Sequence, residues 1–409
     1  MSTSKTEDGE TFRVRTLALP VYLPHLLFAI GQGAAIPMIA LLALDLGASV
    51  AAAGAVVALR GIGTMVFDLP AGLLVAKLGE RKAMVAATGV LAVIAAGVST
   101  GPSPLVYALF IFMLGGAWSV WVLARLTYTT ELTPIEFRGR VMSVMGGLGR
   151  TGTFIGPLIA GLTVTRYGLA SAFVVQAVMA TVACIALAFG PTPPPHEAID
   201  KPTHKIKLRG VLKDHRKTLA TAGLATVAIM VLRTSRQVML PLWGNHIGLA
   251  PAAIALLFSF SSALEMTLFY PVGLLMDRRG RRWAAIPCLA LLSLGMAFIP
   301  LTDSFLGMVG AALVMGLGNG FGTGIGMTLG SDFSPPVGRS QFLGVWRLVT
   351  DMGTAGGPLI IAATTSLASL GVAALVSSGV GLLGVVLLWL AVPETLRKSE
   401  PAALADIDD

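Results

Sequence analysis

The sequence predicts an all-α membrane protein in which twelve transmembrane helices form two related halves of six helices each. Three observations lead to this fold. First, the 409 residues are 55% hydrophobic, with a mean hydropathy of +0.81, a composition typical of polytopic membrane proteins rather than of soluble domains. Second, twelve apolar runs are each long enough to cross a bilayer, which takes about 20 residues. Third, one constant offset in the numbering relates the first half of the chain to the second.

The apolar runs follow one another with mostly short polar turns between them. They lie near 17–43, 50–76, 82–100, 104–128, 140–165, 168–190, 218–243, 251–276, 283–301, 306–331, 341–365 and 370–392. The one long polar interruption between runs opens with Pro-Thr-Pro-Pro-Pro, which cannot continue a helix. We therefore predict a tail at 1–16, a six-helix bundle at 17–190, a linker at 191–217, a second bundle at 218–392 and a tail at 393–409.

Basic residues are distributed unevenly between the two ends of the predicted helices. Most of the 29 Lys and Arg residues fall in turns at one end, in the linker or in the tails, whereas Arg166 lies at the opposite end. Under the positive-inside rule, this bias places both termini in the cytoplasm, with the protein in the plasma membrane. The net charge of +8 is therefore explained by the lipid bilayer and gives no reason to predict a nucleic-acid partner.

The sequence does not predict an enzyme. It holds no metal-ligand cluster, no nucleophile motif and no phosphate-cradling loop followed by Lys and Ser or Thr. Cys184 and Cys288 lie inside apolar runs, so we interpret them as small hydrophobic residues rather than as a disulfide. We therefore expect neither a metal nor a cofactor.

A duplicated motif supplies the constant offset. Residues 273–282 read Gly-Leu-Leu-Met-Asp-Arg-Arg-Gly-Arg-Arg, and a degraded copy at 72–81 reads Gly-Leu-Leu-Val-Ala-Lys-Leu-Gly-Glu-Arg, 201 positions earlier. The same offset relates Gly152 to Gly353, Gly156 to Gly357, Pro157 to Pro358 and Arg138 to Arg339. Because one offset holds over such a length, we infer that the whole chain is a duplication and not that a single motif was repeated.

The two loops resemble the signature loop of the major facilitator superfamily, found between helices 2 and 3 and again between helices 8 and 9. The Gly-x-x-x-Gly-Pro-x-x-Ala-Gly pattern of the fifth run resembles the motif that exporters of that superfamily carry there. The resemblance implies two six-helix bundles around a central cavity that opens alternately to either side of the membrane. It further implies a monomeric secondary transporter, similar to the drug/proton antiporters, that exports small amphipathic compounds in exchange for protons.

The resemblance also assigns roles to individual positions. Residues expected in gating contacts are Gly72, Gly79, Arg81, Gly273, Asp277, Arg278, Gly280 and Arg281 of the signature loops, with Arg138 and Arg339. Residues expected in the close packing of helices 5 and 11 are Gly152, Gly156, Pro157, Gly353, Gly357 and Pro358. The sequence departs from the pattern at Ala76, where the first loop usually has Asp, and at Phe112, where drug exporters usually carry Arg. These departures predict a weaker helix 2–helix 11 lock and an altered proton relay.

Charged residues inside the apolar runs are the candidates for chemistry, because a charge in hydrocarbon normally faces a partner or water. They are Arg60, Asp68, Arg125, Arg150, Arg233, Arg236, Glu265, Arg347 and Asp351. At a rise of about 1.5 Å per residue, Glu265 lies about 18 Å from Asp277 along its helix, and Arg150 about 17 Å from Gly139. Helices 5 and 8 pack together in the superfamily, so we predict an ion pair between Glu265 and Arg150.

Asp68 and Arg347 form the mirror pair by the same reasoning. Each lies about 12 Å deep, on helices 2 and 11, which also pack together in the superfamily. Asp351 is one turn from Arg347 and can compete for it. Such pairs can be static. However, a carboxylate whose charge is disfavoured by burial and favoured by an arginine can change protonation when that arginine moves away. The proton-coupling candidates are Glu265, Asp351 and Asp68, and their candidate charge partners are Arg150, Arg347 and Arg60.

The substrate cavity is expected along helices 1, 4, 7 and 10, as in the superfamily. Its candidate residues are Gln32, Arg233, Arg236, Gln237, Trp118 and Asn319. Arg233 and Arg236 share a helix face and would suit a carboxylate or phosphate, so transport of an organic anion is an alternative. Both arginines could instead snorkel to the outer surface or pair with Asp45. An alternative of another class is a non-transporting membrane scaffold or sensor, which would not need buried charges.

Overall fold

The computed structural model describes residues 14–191, 214–335 and 339–396. The regular structure in these ranges is helical, and its helices fall into the twelve crossings that the apolar runs predict. Of the tails predicted at 1–16 and 393–409, residues 1–13 and 397–409 lie outside the described residues, and so does most of the predicted linker.

The helices are numbered here by crossing, and a crossing that is broken in two has parts a and b. The first half contains α1a (Leu23–Ala35), α1b (Met38–Asp45), α2 (Val50–Leu78), α3 (Glu80–Ser99), α4 (Pro104–Glu131), α5 (Ile135–Tyr167) and α6 (Ser171–Phe189). The second half contains α7 (Leu224–His246), α8 (Pro251–Arg279), α9 (Arg282–Phe298), α10a (Phe305–Phe321), α10b (Ile325–Phe333), α11 (Arg339–Leu367) and α12 (Leu370–Ala391). The break in α10 falls within the glycine-rich part of the tenth run.

The duplication is visible in the backbone as well as in the sequence. Gly79 and Gly280, 201 positions apart, end α2 and α8 at φ 81° and 109°. Only glycine adopts such angles easily, so each helix can turn sharply into the next. Gly47 and Gly248 occupy matching turns at the opposite end of the helices, with φ 89° and 76°. The π-helical turns Ala18–Tyr22 and Leu219–Gly223 before α1a and α7 have the same spacing.

Two helix pairs join the halves, and both are those that the superfamily resemblance implies. α2 packs against α11, and α5 packs against α8. A Cβ atom at Gly61 of α2 would lie 2.8 Å from the Ala355 Cα of α11, too close for any other residue without a shift. Two glycines of the helix 5 and helix 11 motifs, Gly152 and Gly353, act elsewhere. Gly152 lies against Ala29 of α1a, and Gly353 lies against Val227 of α7, so both pack within their own half.

Ten of the twelve crossings in the described residues have the length and apolarity to span a membrane. The other two, α5 and α11, are long enough at 33 and 29 residues. They carry more threonine and charge than the helices on either side, including Arg150 in α5 and Arg347 in α11. These helices form the contacts between the halves, which explains why they are more polar than helices that face only lipid and their own bundle.

The halves approach each other closely at one end of the bundle. We call the end with the turns at Gly79 and Gly280 the basic end, and the end with Gly47 and Gly248 the far end. At the far end, a Cβ atom at Gly54 of α2 would lie 3.4 Å from the Ala362 Cβ of α11. Nearer the basic end, Gly147 and Gly344 have no neighbour within 4 Å of a Cβ position among the described residues. The space between the halves is therefore closed at the far end.

Candidate functional site: the central cavity and its charges

A cavity of about 290 Å³ lies where the two halves meet. Its walls are formed by Ile36, Val57, Arg60, Gly61, Thr64 and Trp118 of the first half and by Thr234, Gln237, Asp351, Thr354 and Pro358 of the second. Of the residues predicted for a substrate cavity, Trp118 and Gln237 line this space. Apolar, aromatic, hydroxyl and charged groups all face it, so it can hold a small molecule with both polar and apolar parts.

Arg60 supplies the positive charge of the cavity wall. Its Nη2 donates to Gln32 Oε1 at 2.8 Å, and its guanidinium carbon lies 5.5 Å from the ring centroid of Trp118. No carboxylate pairs with it among the residues that the structure describes. Gln32, predicted to line the cavity, therefore holds the arginine that does so. The positive charge of Arg60 is available to an anionic group of a solute.

Asp68, Arg347 and Asp351 form a cluster across the contact between α2 and α11. Arg347 Nη2 donates to Asp68 Oδ1 at 3.1 Å, and Arg347 Nε lies 3.5 Å from Asp351 Oδ2. The predicted Asp68–Arg347 pair is present, and Asp351 shares the same guanidinium. Ser119 of α4 also donates to Asp68. Two carboxylates on one arginine leave one negative charge in excess, which a proton or a cation would neutralise.

Glu265 lies in a second cluster, within the second half. Its Oε1 accepts from Arg236 Nη1 at 2.6 Å, and its Oε2 accepts from Asn319 Nδ2 at 2.7 Å. The same Arg236 nitrogen donates to Ser261 Oγ at 2.7 Å. Glu265 and Arg236 are only 8% and 7% exposed. Two helices of the second half, α7 and α10a, therefore satisfy this carboxylate of α8.

The predicted ion pair between Glu265 and Arg150 is wrong for this structure. Arg150 Nη2 instead donates to Thr323 Oγ1 at 2.7 Å, and its guanidinium carbon lies 4.4 Å from the ring centroid of Phe269. Helices α5 and α8 pack as expected, but Arg236 approaches Glu265 from α7, inside the same half. Depth along two helices does not specify which way each side chain points around its axis. Arg150 consequently links α5 to the break in α10.

The predicted anion site at Arg233 and Arg236 needs a correction as well. The pairing with Glu265 occupies Arg236, and Arg233 Nη2 donates to the Asn319 carbonyl at 3.1 Å. Neither arginine is among the residues that line the central cavity, and neither pairs with Asp45 among the described residues. The arginine that faces the cavity is Arg60, which the sequence analysis had placed among the charge partners.

Three hydroxyl residues in these clusters were missed from the sequence. Ser119, Ser261 and Thr323 each bind one of the buried charged residues. A usable signal was present, because each is a polar residue in an apolar helix or at a helix break. Matching such hydroxyl groups to the depth of nearby charges would have identified them.

The charged residues of the signature loops contact their own half. Arg81 Nε donates to the Leu187 carbonyl of α6 at 2.8 Å, and Arg282 Nη2 donates to the Trp389 carbonyl of α12 at 2.6 Å. These two arginines are 201 positions apart, so the same cap closes the last helix of each half. Arg281 Nε lies 2.8 Å from Asp332 Oδ2, and Asp277 is largely exposed. Each of these contacts therefore lies within one half of the molecule.

The remaining loop residues have similar surroundings. Arg138 donates to the carbonyls of Thr130 and Thr133 at the end of α4. Arg339 Nη2 donates to Ser331 Oγ at 2.6 Å. Arg278 is exposed, and neither Gly72 nor Gly273 has a close neighbour among the described residues. Their part in gating therefore stays a prediction.

Comparison with known proteins gives the following likenesses. Residues 21–235 and 222–405 each match the family model described as Major Facilitator Superfamily. The chain is 27% identical over 354 residues to YddS of Bacillus subtilis (strain 168), an uncharacterized MFS-type transporter, with 80% of each chain covered. It is 26% identical over 268 residues to the multidrug resistance protein MdtH of Photorhabdus laumondii, with 63% of each chain covered, which is less than two thirds.

Among solved structures, the fold is similar to that of a POT family transporter in complex with 5-aminolevulinic acid. The TM-score is 0.75 over 94% of this chain and 97% of the other, at 11% sequence identity. At that identity the likeness concerns the fold alone.

Proposed function

The chain belongs to the major facilitator superfamily, and from this premise we propose that it exports small amphipathic compounds in exchange for protons. It is a multi-pass membrane transporter and not an enzyme. The observation that carries the proposal is the position of Asp351, which lines the central cavity and also shares Arg347 with Asp68. The Asp351 carboxyl group can therefore contact a solute in the cavity. It also belongs to a charge cluster with one excess negative charge, which a proton would neutralise.

Coupling follows from competition at Asp351. A cationic or hydrogen-bond-donating solute in the cavity would draw this carboxylate away from Arg347, and a proton on the same carboxylate would prevent that contact. Binding of the solute and binding of the proton then oppose each other, as an exchange requires. Glu265 is the second carboxylate of interest. It is enclosed by Arg236 and Asn319 and does not line the cavity, so we assign it a structural part.

The rest of the proposal concerns the substrate class, the moving units and their placement. The apolar wall at Ile36, Val57 and Trp118 suits the apolar part of an amphipathic compound. The MdtH relatives are named multidrug resistance proteins, and this name supports export. We propose that the bundles at 17–190 and 218–392 rock against each other in a monomer. By the positive-inside rule the basic end is cytoplasmic in the plasma membrane, and the structure is then inward-facing.

A flux assay in proteoliposomes tests the proposal. An imposed pH gradient should drive accumulation of a fluorescent amphipathic cation by the wild type. Asp351→Asn should abolish gradient-driven accumulation and leave downhill exchange, because the shared carboxylate can no longer take up a proton. Asp303→Asn is the matched control, since this carboxylate is exposed in the turn between α9 and α10a, and Glu265→Gln should keep the coupling. Proton-driven accumulation in Asp351→Asn would remove this residue from the coupling mechanism.

An organic anion is the second candidate substrate, favoured by the cavity arginine that has no carboxylate partner among the described residues, Arg60. The same vesicles distinguish the two candidates. If the substrate is an anion, a panel of carboxylate compounds should be transported. Arg60→Gln should then abolish uptake of those compounds, whereas Arg60→Lys should keep part of it. If the substrate is an amphipathic cation, Arg60→Gln should leave transport intact.

A further inference from the structure

A groove of about 440 Å³ lies on the surface of the second half, between the start of α9 and the end of α12 at the basic end. It is separate from the central cavity and has no part in the transport cycle proposed above. Its walls include Arg279, Arg282, Trp283, Ile286, Pro287 and Trp389. Two arginines and two tryptophans thus surround a space whose floor is apolar.

The apolar floor opens onto the surface that faces lipid. Ile286 and Pro287 are half-buried in the floor. Along α12, Leu383, Val386, Trp389 and Leu390 are 71%, 52%, 65% and 77% exposed. These residues recur at helical spacing and form one exposed apolar stripe that leads to the groove. In a membrane helix such a stripe faces acyl chains. A molecule in the groove would therefore place its apolar part in the bilayer.

Both arginines of the groove are held over aromatic rings. The Arg279 guanidinium carbon lies 5.8 Å from the ring centroid of Trp283, and that of Arg282 lies 5.7 Å from Trp389. Cation–π contact fixes these charges at the mouth of the groove. Arg282 uses Nη2 to donate to the Trp389 carbonyl, which leaves its other donors available. Arg279 is exposed and has no carboxylate partner among the described residues.

Glu394 is the one acidic side chain in the wall, and it faces the backbone. Its Oε1 accepts from the Arg281 N–H at 2.8 Å, and its Oε2 accepts from the Arg282 N–H at 3.0 Å. The carboxylate thereby caps the start of α9, where a negative charge is favourable. An adjoining hollow of about 370 Å³ adds Arg278 to the same surface. Three arginines against one glutamate leave the groove positively charged.

The corresponding surface of the first half lacks these features. At the offset of 201, Arg282 matches Arg81, but Trp283 matches Lys82, Trp389 matches Ala188 and Arg279 matches Leu78. The arginine that caps the last helix is common to both halves, whereas both tryptophans and the exposed arginine occur only in the second. The groove is therefore not a consequence of the repeated fold, and the first half supplies a matched control.

We propose that this groove binds an anionic phospholipid from the leaflet at the basic end. The phosphate group would lie between Arg279 and Arg282, which can donate charge-assisted hydrogen bonds to it. One acyl chain would lie along Ile286 and Pro287, and the two tryptophans would flank it at the membrane interface, where that residue type is favoured. Basic pockets between transmembrane helices on the cytoplasmic side are suited to such headgroups.

Native mass spectrometry of the purified full-length protein tests the proposal with phosphatidylglycerol and phosphatidylcholine of identical acyl chains. The wild type should retain phosphatidylglycerol in preference. Arg279→Gln should weaken this retention about fivefold, as expected for one basic residue near an anionic headgroup, and leave phosphatidylcholine unaffected. Lys82→Gln, which removes an exposed basic residue of the first half at the position that matches Trp283, should change nothing. Equal losses in both variants, or no headgroup preference in the wild type, would refute a specific site.

A second variant separates the groove from general surface charge. Ile286→Trp fills the apolar floor and changes no charge, so it should also lower phosphatidylglycerol retention. If Arg279→Gln lowers retention and Ile286→Trp does not, the lipid is held by surface electrostatics alone and the groove proposal fails. Thermal unfolding in detergent without added lipid should be near that of the wild type for Arg279→Gln, whose side chain is exposed. This binding readout is independent of transport.

Discussion

Arg236 and Glu265 form an ion pair that is almost wholly enclosed by the second half. Removing two charges from water is costly, and their mutual attraction offsets that cost only when further hydrogen bonds satisfy the remaining groups. Here the Ser261 hydroxyl accepts a hydrogen bond from Arg236, and the Asn319 amide donates one to Glu265. The pair therefore fixes the relative positions of α7, α8 and α10a, and each partner depends on the other.

We expect Arg236→Gln to be strongly destabilising. It leaves the Glu265 carboxylate buried without its countercharge, and breaking such a pair costs about 3–5 kcal/mol of the free energy of unfolding. The double variant Arg236→Gln/Glu265→Gln should lose less, because no charge is then buried alone. Denaturant unfolding in detergent micelles measures both. Equal losses in the single and double variants would show that charge pairing is not what stabilises this cluster.

The helix ends depend on single glycines, and the duplicated turns allow a controlled comparison. Gly79 and Gly280 both have φ and ψ in a region that is nearly restricted to glycine. Around Gly79 there is no atom within 4 Å of a Cβ position among the described residues, whereas at Gly280 a Cβ atom would collide with the Glu394 carboxylate. The first turn is thus constrained by its backbone alone, and the second also by the cap on α9.

Alanine substitutions at these two turns should therefore differ. Gly79→Ala should reduce the free energy of unfolding by about 1–3 kcal/mol through backbone strain. Gly280→Ala should reduce it further, because the added methyl group also displaces Glu394 from the backbone N–H groups of Arg281 and Arg282. The same unfolding assay compares the two variants. If both lose the same amount, the Glu394 cap contributes nothing to the stability of the second turn.

The two halves pack closely at the far end, and the cluster of Asp68, Arg347 and Asp351 crosses between them. The Asp68–Arg347 contact joins α2 to α11, and the Arg150–Thr323 contact joins α5 to α10. Rocking of one half against the other would then change a small number of polar contacts while each bundle stays intact.

A disulfide across the far end tests this motion. The Cβ positions at Gly54 and Ala362 are 3.4 Å apart, near the separation of about 3.5–4.5 Å in a disulfide. In a background without Cys184 and Cys288, Gly54→Cys/Ala362→Cys should cross-link under mild oxidation and block transport. Reduction should restore transport, and each single cysteine variant should remain active. Full activity in the cross-linked protein would exclude opening at the far end as a step of the cycle.

Hydropathy and the offset of 201 were sufficient to predict the helical membrane fold and its two related halves. These features are local or repetitive, so they leave a direct trace in the order of residues. With the superfamily resemblance, depth along the helix was also sufficient for the Asp68–Arg347 pair. Among the described residues, Arg347 is the arginine that pairs with Asp68, so matching depth along α2 and α11 identified the correct partner.

The partner of Glu265 and the arginine of the cavity were decided by tertiary packing. Sequence position gives the depth of a side chain along its helix, but rotation about the axis and the approach of a third helix depend on how all the helices pack. Arg150 and Arg236 both lie at depths that could serve Glu265, and the packing of α7 on α8 selects Arg236. The same packing turns Arg60 towards the cavity, because Gln32 of the neighbouring helix α1a holds it there.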